Sequence, residues 1–471
     1  MRDLIVALFA LSAIPVAFKR PAAGMLAFSL FAYMRVQDLA WGFAKAQRWS
    51  MFLAVAMIAG WAFQRGRKGP IWNRRTWMLV FMPAWTFLGL VLAIGVDAFA
   101  YPRFIEFVKI IFVGIFTTMI VQRREHLRAL MWIIGISFAF FGVKNGLGVI
   151  LSGGSPILRG PGGMLLDNND FALALAMAIP ILVGIATSEV NGYYHRWMKL
   201  FIPFTYLSVF GTRSRGGFLS ATFATLILVW RSKNRFAGFA VFAAFGLLGL
   251  MFLPAEMFQR LETLQNVEAD GSAQGRLKAW AVAWDMIKDH PVFGVGFDQF
   301  QANYLDYGER AGTKTGTRVV HNAYLQIWSE AGTPVFLCYV TLLVTSVFQL
   351  QRLRRAAAKV YERSWILSYC TALEGAFLTF MLGSTFLNRA HFDLIYHYFA
   401  IVMVFERIAY QELESPASAT ARAPGSAEVF VKKEEFGFGR QPSGQRGFRT
   451  VSRAPTRLGG GAGFASRKES P

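Results

Sequence analysis

The sequence predicts an all-α polytopic membrane protein, on three observations. The 471-residue chain is 54% hydrophobic and 15% aromatic, a balance too apolar for a fold whose whole surface faces water. Its apolar residues fall in long runs separated by short polar connections. Its formal charge of +21 is dispersed in small Lys/Arg clusters between those runs, the pattern by which membrane topology is written. A nucleic-acid partner would need a compact basic domain with interleaved aromatics, and the apolar runs leave no room for one before the tail.

Crossing about 30 Å of hydrocarbon takes roughly 17 to 25 mainly apolar residues. Thirteen stretches meet or approach that length: 3–18, 22–44, 50–64, 76–99, 103–121, 129–151, 171–187, 197–211, 216–230, 236–254, 332–350, 365–388 and 392–408. They predict twelve or thirteen transmembrane helices. The first run follows Arg2 as a signal peptide would, but a second run follows at once, so it is read as a retained segment. Cys338 and Cys370 sit inside runs as small apolar residues.

The basic clusters settle into alternate connections. Lys19 and Arg20, then Arg65 to Arg75, then Arg123, Arg124 and Arg128 follow segments one, three and five. His195, Arg196 and Lys199, then Arg231, Lys233 and Arg235, then Arg352 to Arg363 continue the alternation. Positive residues stay inside, so these connections are expected to be cytoplasmic, and the other set periplasmic. The organisation predicted is an N-terminal membrane region (1–130), a second membrane domain (131–410) holding one large periplasmic loop (255–331), and a disordered cytoplasmic tail (411–471). The tail is rich in Ala, Ser, Gly, Pro and Arg and lacks apolar periodicity.

Three polar stretches are left on the outer side: 152–170, 211–217 and 254–332. In the long one, QGRLKAWAVAWDMIKDHP places Leu277, Trp280, Trp284 and Ile287 on one helical face with Arg276 near its start, an amphipathic helix suited to lying at a membrane interface. The close of the loop, HNAYLQIWSEAG, predicts a second helix leading into segment eleven.

Arg159, Arg213, Arg215, Arg276 and His321 all fall in these outer stretches, against the inward bias of positive charge. A single outer arginine serves as an interfacial anchor as readily as a ligand group. Several around one His point to an anion site, because guanidinium forks pair bidentately with phosphate oxygens and stay charged at any relevant pH. A pyrophosphate leaving group needs its charge neutralised more than it needs a general acid, and arginines supply that. The attacking hydroxyl needs a base, which His321 would be, unless it only caps or packs a helix. Lys144 lies in the outer half of segment six, and Glu106, Lys109 and Glu374 are further charges inside runs, where charge is costly. The run Asp167 to Asp170 suits either a hard cation or the N-cap of segment seven, with Asn169 or Asp170 as cap and the cap favoured. No convincing metal site and no P-loop were found, and no cofactor is expected.

FGVKNGLGVILSGG, LRGPGGMLLDNNDFALALAMAIP, GTRSRGGFLS and DGSAQGRLKAWAVAWDMIKDHPVFGVGFDQF, in that order, resemble the O-glycosylation ligases associated with exosortase A systems, and MRDLIVALFALSAIPVAFKRP resembles their N-terminal region. That family lies within the O-antigen ligase and polymerase superfamily. HNAYLQIWSEAG is similar to the general ligase pattern. The resemblance implies about a dozen helices, one large periplasmic loop, and inverting, metal-independent glycan transfer. The donor would be undecaprenyl-pyrophosphate-linked and the acceptor a hydroxyl of a protein or glycan, at the periplasmic face of a bacterial inner membrane. It implies that Arg215 and Arg276 hold the pyrophosphate, with Arg159 a further basic loop residue, and that His321 is the essential loop histidine. Arg213, Lys144, Asn169 and Asn322 complete the expected substrate-binding set. A polysaccharide polymerase would use the same residues. A transporter or flippase fits less well, since no repeated halves show and the unusual charges lie outside midmembrane.

Overall fold

The computed structural model describes residues 1–93, 96, 98–189, 191–251, 271–310, 317–361 and 364–415. Described residues form helices and connecting turns, with one isolated bridge pair and no strands. In order the helices are α1 (Arg2–Lys19), α2 (Pro21–Tyr33), α3 (Phe43–Ala46), α4 (Trp49–Phe63), α5 (Arg74–Leu92), α6 (Ala100–Ile120), α7 (Arg124–Leu151) and α8 (Asn168–Ser188). They continue as α9 (Gly192–Gly211), α10 (Arg215–Arg231), α11 (Arg235–Met251), α12 (Gly271–Asp289), α13 (Tyr304–Arg310), α14 (Ala323–Ala358), α15 (Trp365–Gly383) and α16 (Asp393–Leu413). This is an all-α, multi-pass membrane architecture. Five of the described helices (α5, α7, α8, α14 and α15) are both long and apolar enough to cross a membrane. Others are shorter, α2 with 13 residues and α4 with 15, or carry more charge, as α6 does at Arg103, Glu106 and Lys109.

α8 is the central element. Its run FALALAMAIPILVGIA is apolar on every side, the signature of a helix surrounded by others. Of its apolar window 83% is buried, against 33% for α5, which turns most of its surface outward. Helices α7, α9, α10 and α15 pack around α8, its alanines letting neighbours approach closely, while α1, α2 and α4 form a flanking group.

The ion pairs between elements sort into two ends. At one end Arg75 pairs with Glu406 and Arg128 with Glu189 (2.6 Å), and Arg231 and Arg354, from the last turns of α10 and α14, reach Glu374 in the middle of α15. At the other end Arg103 pairs with Asp298 and Arg389 with Asp170. Following the chain through successive helices puts the members of each pair at the same end, as the alternation of basic clusters requires. Of the charges expected to be costly inside runs, Glu374 is compensated by its two arginines and Glu106 by Lys109 at 2.7 Å, while Lys144 is exposed on α7.

Several boundaries differ from those read in the sequence. The second run stops at Tyr33 rather than 44, because Arg35 adopts left-handed backbone (φ 51°) and pairs with Asp38 inside a 3-10 turn, Val36–Leu39. Segment twelve stops at Gly383, and residues 384–392 form a loop. The tail expected from 411 is helical to Leu413, and residues 416–471 lie outside those described. So do residues 252–270 and 311–316 of the large loop.

The predicted second loop helix is present and joins segment eleven through a break at Gly332 (φ 79°) within α14. Pro334 has no N–H to give the Glu330 carbonyl, so the turn after α12 supplies the missing donors. Val295 N–H donates to the Ser329 carbonyl (2.8 Å) and Gly296 N–H to that of Glu330 (3.2 Å). The Thr333 N–H turns to Pro291 O (2.8 Å), and a Cβ at position 332 would collide with the Val292 carbonyl, so only glycine fits. This clasp fixes the large loop to the membrane helices.

α12 forms where the amphipathic helix was expected. Ala279, Val282, Ala283 and Met286 are its buried face, in a small core with Phe300, Tyr304, Tyr307 and Val320. Leu277 (49%) and Trp284 (46%) are exposed, and Trp280 is held by an indole N–H bond to Val320 O (2.9 Å). The small residues let the helix lie close against its neighbours, while Leu277 and Trp284, of the face expected at a membrane interface, stay exposed and Ile287 is buried.

Candidate functional site

His321 is positioned by the start of α14. Asn322 is the N-cap, its side chain accepting from the N–H groups of Tyr324 (2.9 Å) and Leu325 (3.1 Å). The cap holds the chain direction, and His321 just before it sits in left-handed backbone (φ 51°), a conformation that needs surrounding structure to hold it. Ala323 N–H donates to Ser384 O (2.8 Å), tying the same point to the loop after α15.

His321 lines a cavity of about 500 Å³ together with Asn169, Gly275, Arg276, Gln301, Thr317, Arg318 and Val319. The wall thus takes residues from the start of α8, the first turns of α12, and the segment before α14. Gly275 has no Cβ, and the Arg318 guanidinium lies against that position, which sets Arg318 beside the start of α12 next to Arg276. No carboxylate is among the described wall residues. Burial, then Arg276, then Arg318 push His321 below the ordinary histidine range, with Asp167 opposing. The imidazole is therefore neutral, and able to accept a proton, over more of the pH range than a free histidine.

Asn169 reaches this wall because the start of α8 is capped by Asp167, whose carboxylate accepts from the N–H groups of Asn169 (2.8 Å) and Asp170 (3.3 Å). The cap expected at Asn169 or Asp170 is therefore Asp167, and the helix starts at Asn168 instead of Phe171. Asp170 instead pairs with Arg389. Asn168 donates from Nδ2 to Thr212 O (3.1 Å), Ile157 N–H donates to Gly211 O (2.7 Å), and Arg159 bridges Asp167 through the backbone. These bonds bring the 152–167 loop and the 211–215 turn against the start of α8.

Of the residues expected to bind substrate, Asn169 and Arg276 line the cavity with His321. Arg159, Arg213 and Arg215 are exposed on the adjoining loop and turn, Arg213 with φ 53° and Arg215 as the first residue of α10 after the Ser214 cap. Lys144 is exposed on α7 and is not part of the wall. Asn322 serves as the cap. Arg318, Gln301 and Thr317 were missed. Arg318 stands three residues before His321 in the same polar segment, and that nearness was the available signal.

Residues 200–340 match the O-antigen ligase family. The ligase match contains Arg213, Arg215, Arg276, Arg318 and His321. Residues 1–183 match a family of unknown function (DUF5935), and Asn169 comes from that region, so the cavity wall draws on both. No curated protein gives a match to the chain. The ligase match supports a membrane glycan ligase of the O-antigen ligase and polymerase kind.

Proposed function

We propose that the protein transfers a saccharide from an undecaprenyl-pyrophosphate donor to an acceptor hydroxyl, at the periplasmic face of a bacterial inner membrane. The observation that supports this reading most is the meeting of Arg276, Arg318 and His321 at one cavity with no carboxylate in its described wall. Two guanidiniums repel each other, and an anionic ligand offsets that repulsion; a pyrophosphate with its array of oxygens fits their forks. In the reaction, His321 takes the proton of the acceptor hydroxyl as its oxygen attacks the anomeric carbon. The C–O bond to pyrophosphate breaks, and the arginines hold the departing charge. Arg215 and Arg159 extend the cationic surface from the adjoining turn and loop. The transfer is a single inverting displacement with guanidinium groups providing the neutralisation. The chain's resemblance to exosortase-associated ligases favours a protein or polysaccharide acceptor, and the C-terminal tail is cytoplasmic in this topology.

The test uses purified full-length protein in lipid vesicles, a synthetic prenyl-pyrophosphate-linked saccharide and a hydroxyl acceptor. A new glycosidic bond to the acceptor, with release of prenyl pyrophosphate, supports the ligase. A ladder of lipid-linked chains would make it a polymerase. Donor crossing the bilayer without bond formation would make it a flippase.

A further inference from the structure

A second cavity, of about 450 Å³, opens at the same end of the bundle. Its walls come from the start of α6, the turn after α12, the loop 384–392 and the starts of α14 and α16. Arg103 and Arg389 line it with the carboxyl groups of Glu106, Asp298 and Asp393, so its charges nearly balance, unlike those around His321. Burial and the nearby Arg389 hold His391, also in its wall, well below the ordinary histidine range, so that ring adds no charge. Phe107 and Phe297, both buried and stacked on each other with ring centroids 5.5 Å apart, back the cavity, and His391 stands edge-on to both at 4.7 and 4.4 Å.

Two polar atoms in lining residues are buried with no hydrogen-bond partner among the described residues: Asn388 Oδ1, an acceptor, and Arg389 Nε, a donor. Buried orphans of this kind are uncommon because each costs about as much as a lost hydrogen bond, and a ligand that both donates and accepts would satisfy them. A divided set of donors and acceptors with nearly balanced charge suits a pyranose ring, whose hydroxyls are each both donor and acceptor. A phosphate would meet three carboxyls here, and a purely apolar ligand would leave the polar groups unmet.

The two cavities adjoin through shared elements. Asn169 lines the first, and the next residue, Asp170, pairs with Arg389 of the second. His321 lines the first, and Gln326, one turn into α14, lines the second while its Oε1 accepts from Ala390 N–H (3.2 Å). We infer that the cavity bounded by Arg103, Asp298, Asn388, Arg389, Phe107 and Phe297 is a saccharide-binding subsite, holding a neutral pyranose ring beside the His321 cavity. The binding stands on this cavity alone; the origin of the ring, in the donor glycan or in a sugar-bearing acceptor, rests on the ligase reading.

Full-length protein in lipid nanodiscs, probed by saturation-transfer NMR with the methyl glycosides of glucose, galactose and N-acetylglucosamine, and separately with inorganic pyrophosphate, tests this. At least one glycoside is expected to bind, with Asn388→Ala weakening it about tenfold, the loss of one buried hydrogen bond. Arg103→Ala, at a more exposed pair, should weaken it in the same direction, and Arg276→Ala should leave it unchanged. Thermal unfolding of each variant separates lost binding from lost fold. Competition between the glycoside and a short prenyl-pyrophosphate-linked saccharide would assign the ring to the donor, and simultaneous binding would assign it to the acceptor. Absence of glycoside binding, or binding lost in Arg276→Ala and kept in Asn388→Ala and Arg103→Ala, would overturn the inference. Glycoside binding that persists while pyrophosphate fails to bind would sink only the ligase reading.

Discussion

At the end of the bundle away from His321, arginines meet glutamates: Arg75 with Glu406, Arg128 with Glu189, Arg231 and Arg354 with Glu374. At the His321 end, Arg276 and Arg318 face a cavity with no carboxylate in its described wall. The residue type is the same at both ends and the setting is different. Where a guanidinium has a buried carboxylate beside it, its charge is spent on holding helices together. Where two guanidiniums line a cavity with a histidine, they face a space that a ligand can enter. The difference teaches that arginine count alone says little about function in a membrane protein, and that the partner decides the role.

The contrast can be broken most sharply by topology. In a background with Cys338 and Cys370 replaced by serine, Ser155→Cys should react with a membrane-impermeant thiol reagent from outside the cell, and Lys359→Cys should not. The reverse pattern would put the His321 cavity on the cytoplasmic side and end the proposed reaction.

Chemistry gives the next largest effect. His321→Ala should slow transfer by about 100-fold or more while leaving donor binding nearly intact, because a base is needed only as bonds change. Loss of donor binding without loss of single-turnover transfer would make His321 a donor ligand. At the opposite end, Glu374→Ala should act on stability alone. It leaves two arginines around a site whose carboxylate is 1% exposed, and should cost about 3 kcal/mol in unfolding free energy. Turnover per folded molecule is expected to hold. A stable Glu374→Ala protein with lost turnover would erase the distinction between the two ends.

Arg215→Lys should lose about tenfold in activity although charge is kept, since an ammonium does not reproduce a bidentate fork. Full activity would reduce Arg215 to an interfacial anchor. The smallest effect is on pH dependence. His321 acts as a base when neutral, so transfer should rise with pH through its folded pKa, at a midpoint below that of an ordinary histidine. Arg276→Ala removes one of the causes of the depression, so the midpoint should move up. A midpoint that moves down would contradict the placement of that charge.

Much of the helical layout was legible because apolar runs and basic clusters are local features of sequence. His321, Arg276 and Asn169, singled out in the sequence as polar residues of the connections, do line one cavity. Other features were not, for physical reasons. The small core of α12 was not foreseen, because the large residues Leu277, Trp280, Trp284 and Ile287 dominate the periodicity, whereas close packing used Ala279, Val282, Ala283 and Met286. The cap at Asp167 lay one turn earlier than the apolar run suggested. Arg318 takes its place from the missing Cβ of Gly275, a contact between residues far apart in sequence. The second cavity gathers Arg103, Asp298 and Asn388 from three separate elements, and no local pattern marks them as neighbours.

The central claim is that the arginines at the His321 cavity bind a pyrophosphate and those at the other end do not. Titration of farnesyl pyrophosphate into full-length protein in lipid nanodiscs, followed by calorimetry, tests it directly. Saturable binding is predicted for the wild type and for Arg67→Ala, an exposed arginine after α4. Arg276→Ala and Arg318→Ala should each weaken it by about tenfold or more, as loss of a charge-assisted contact requires. Equal affinity across all four proteins would contradict the claim.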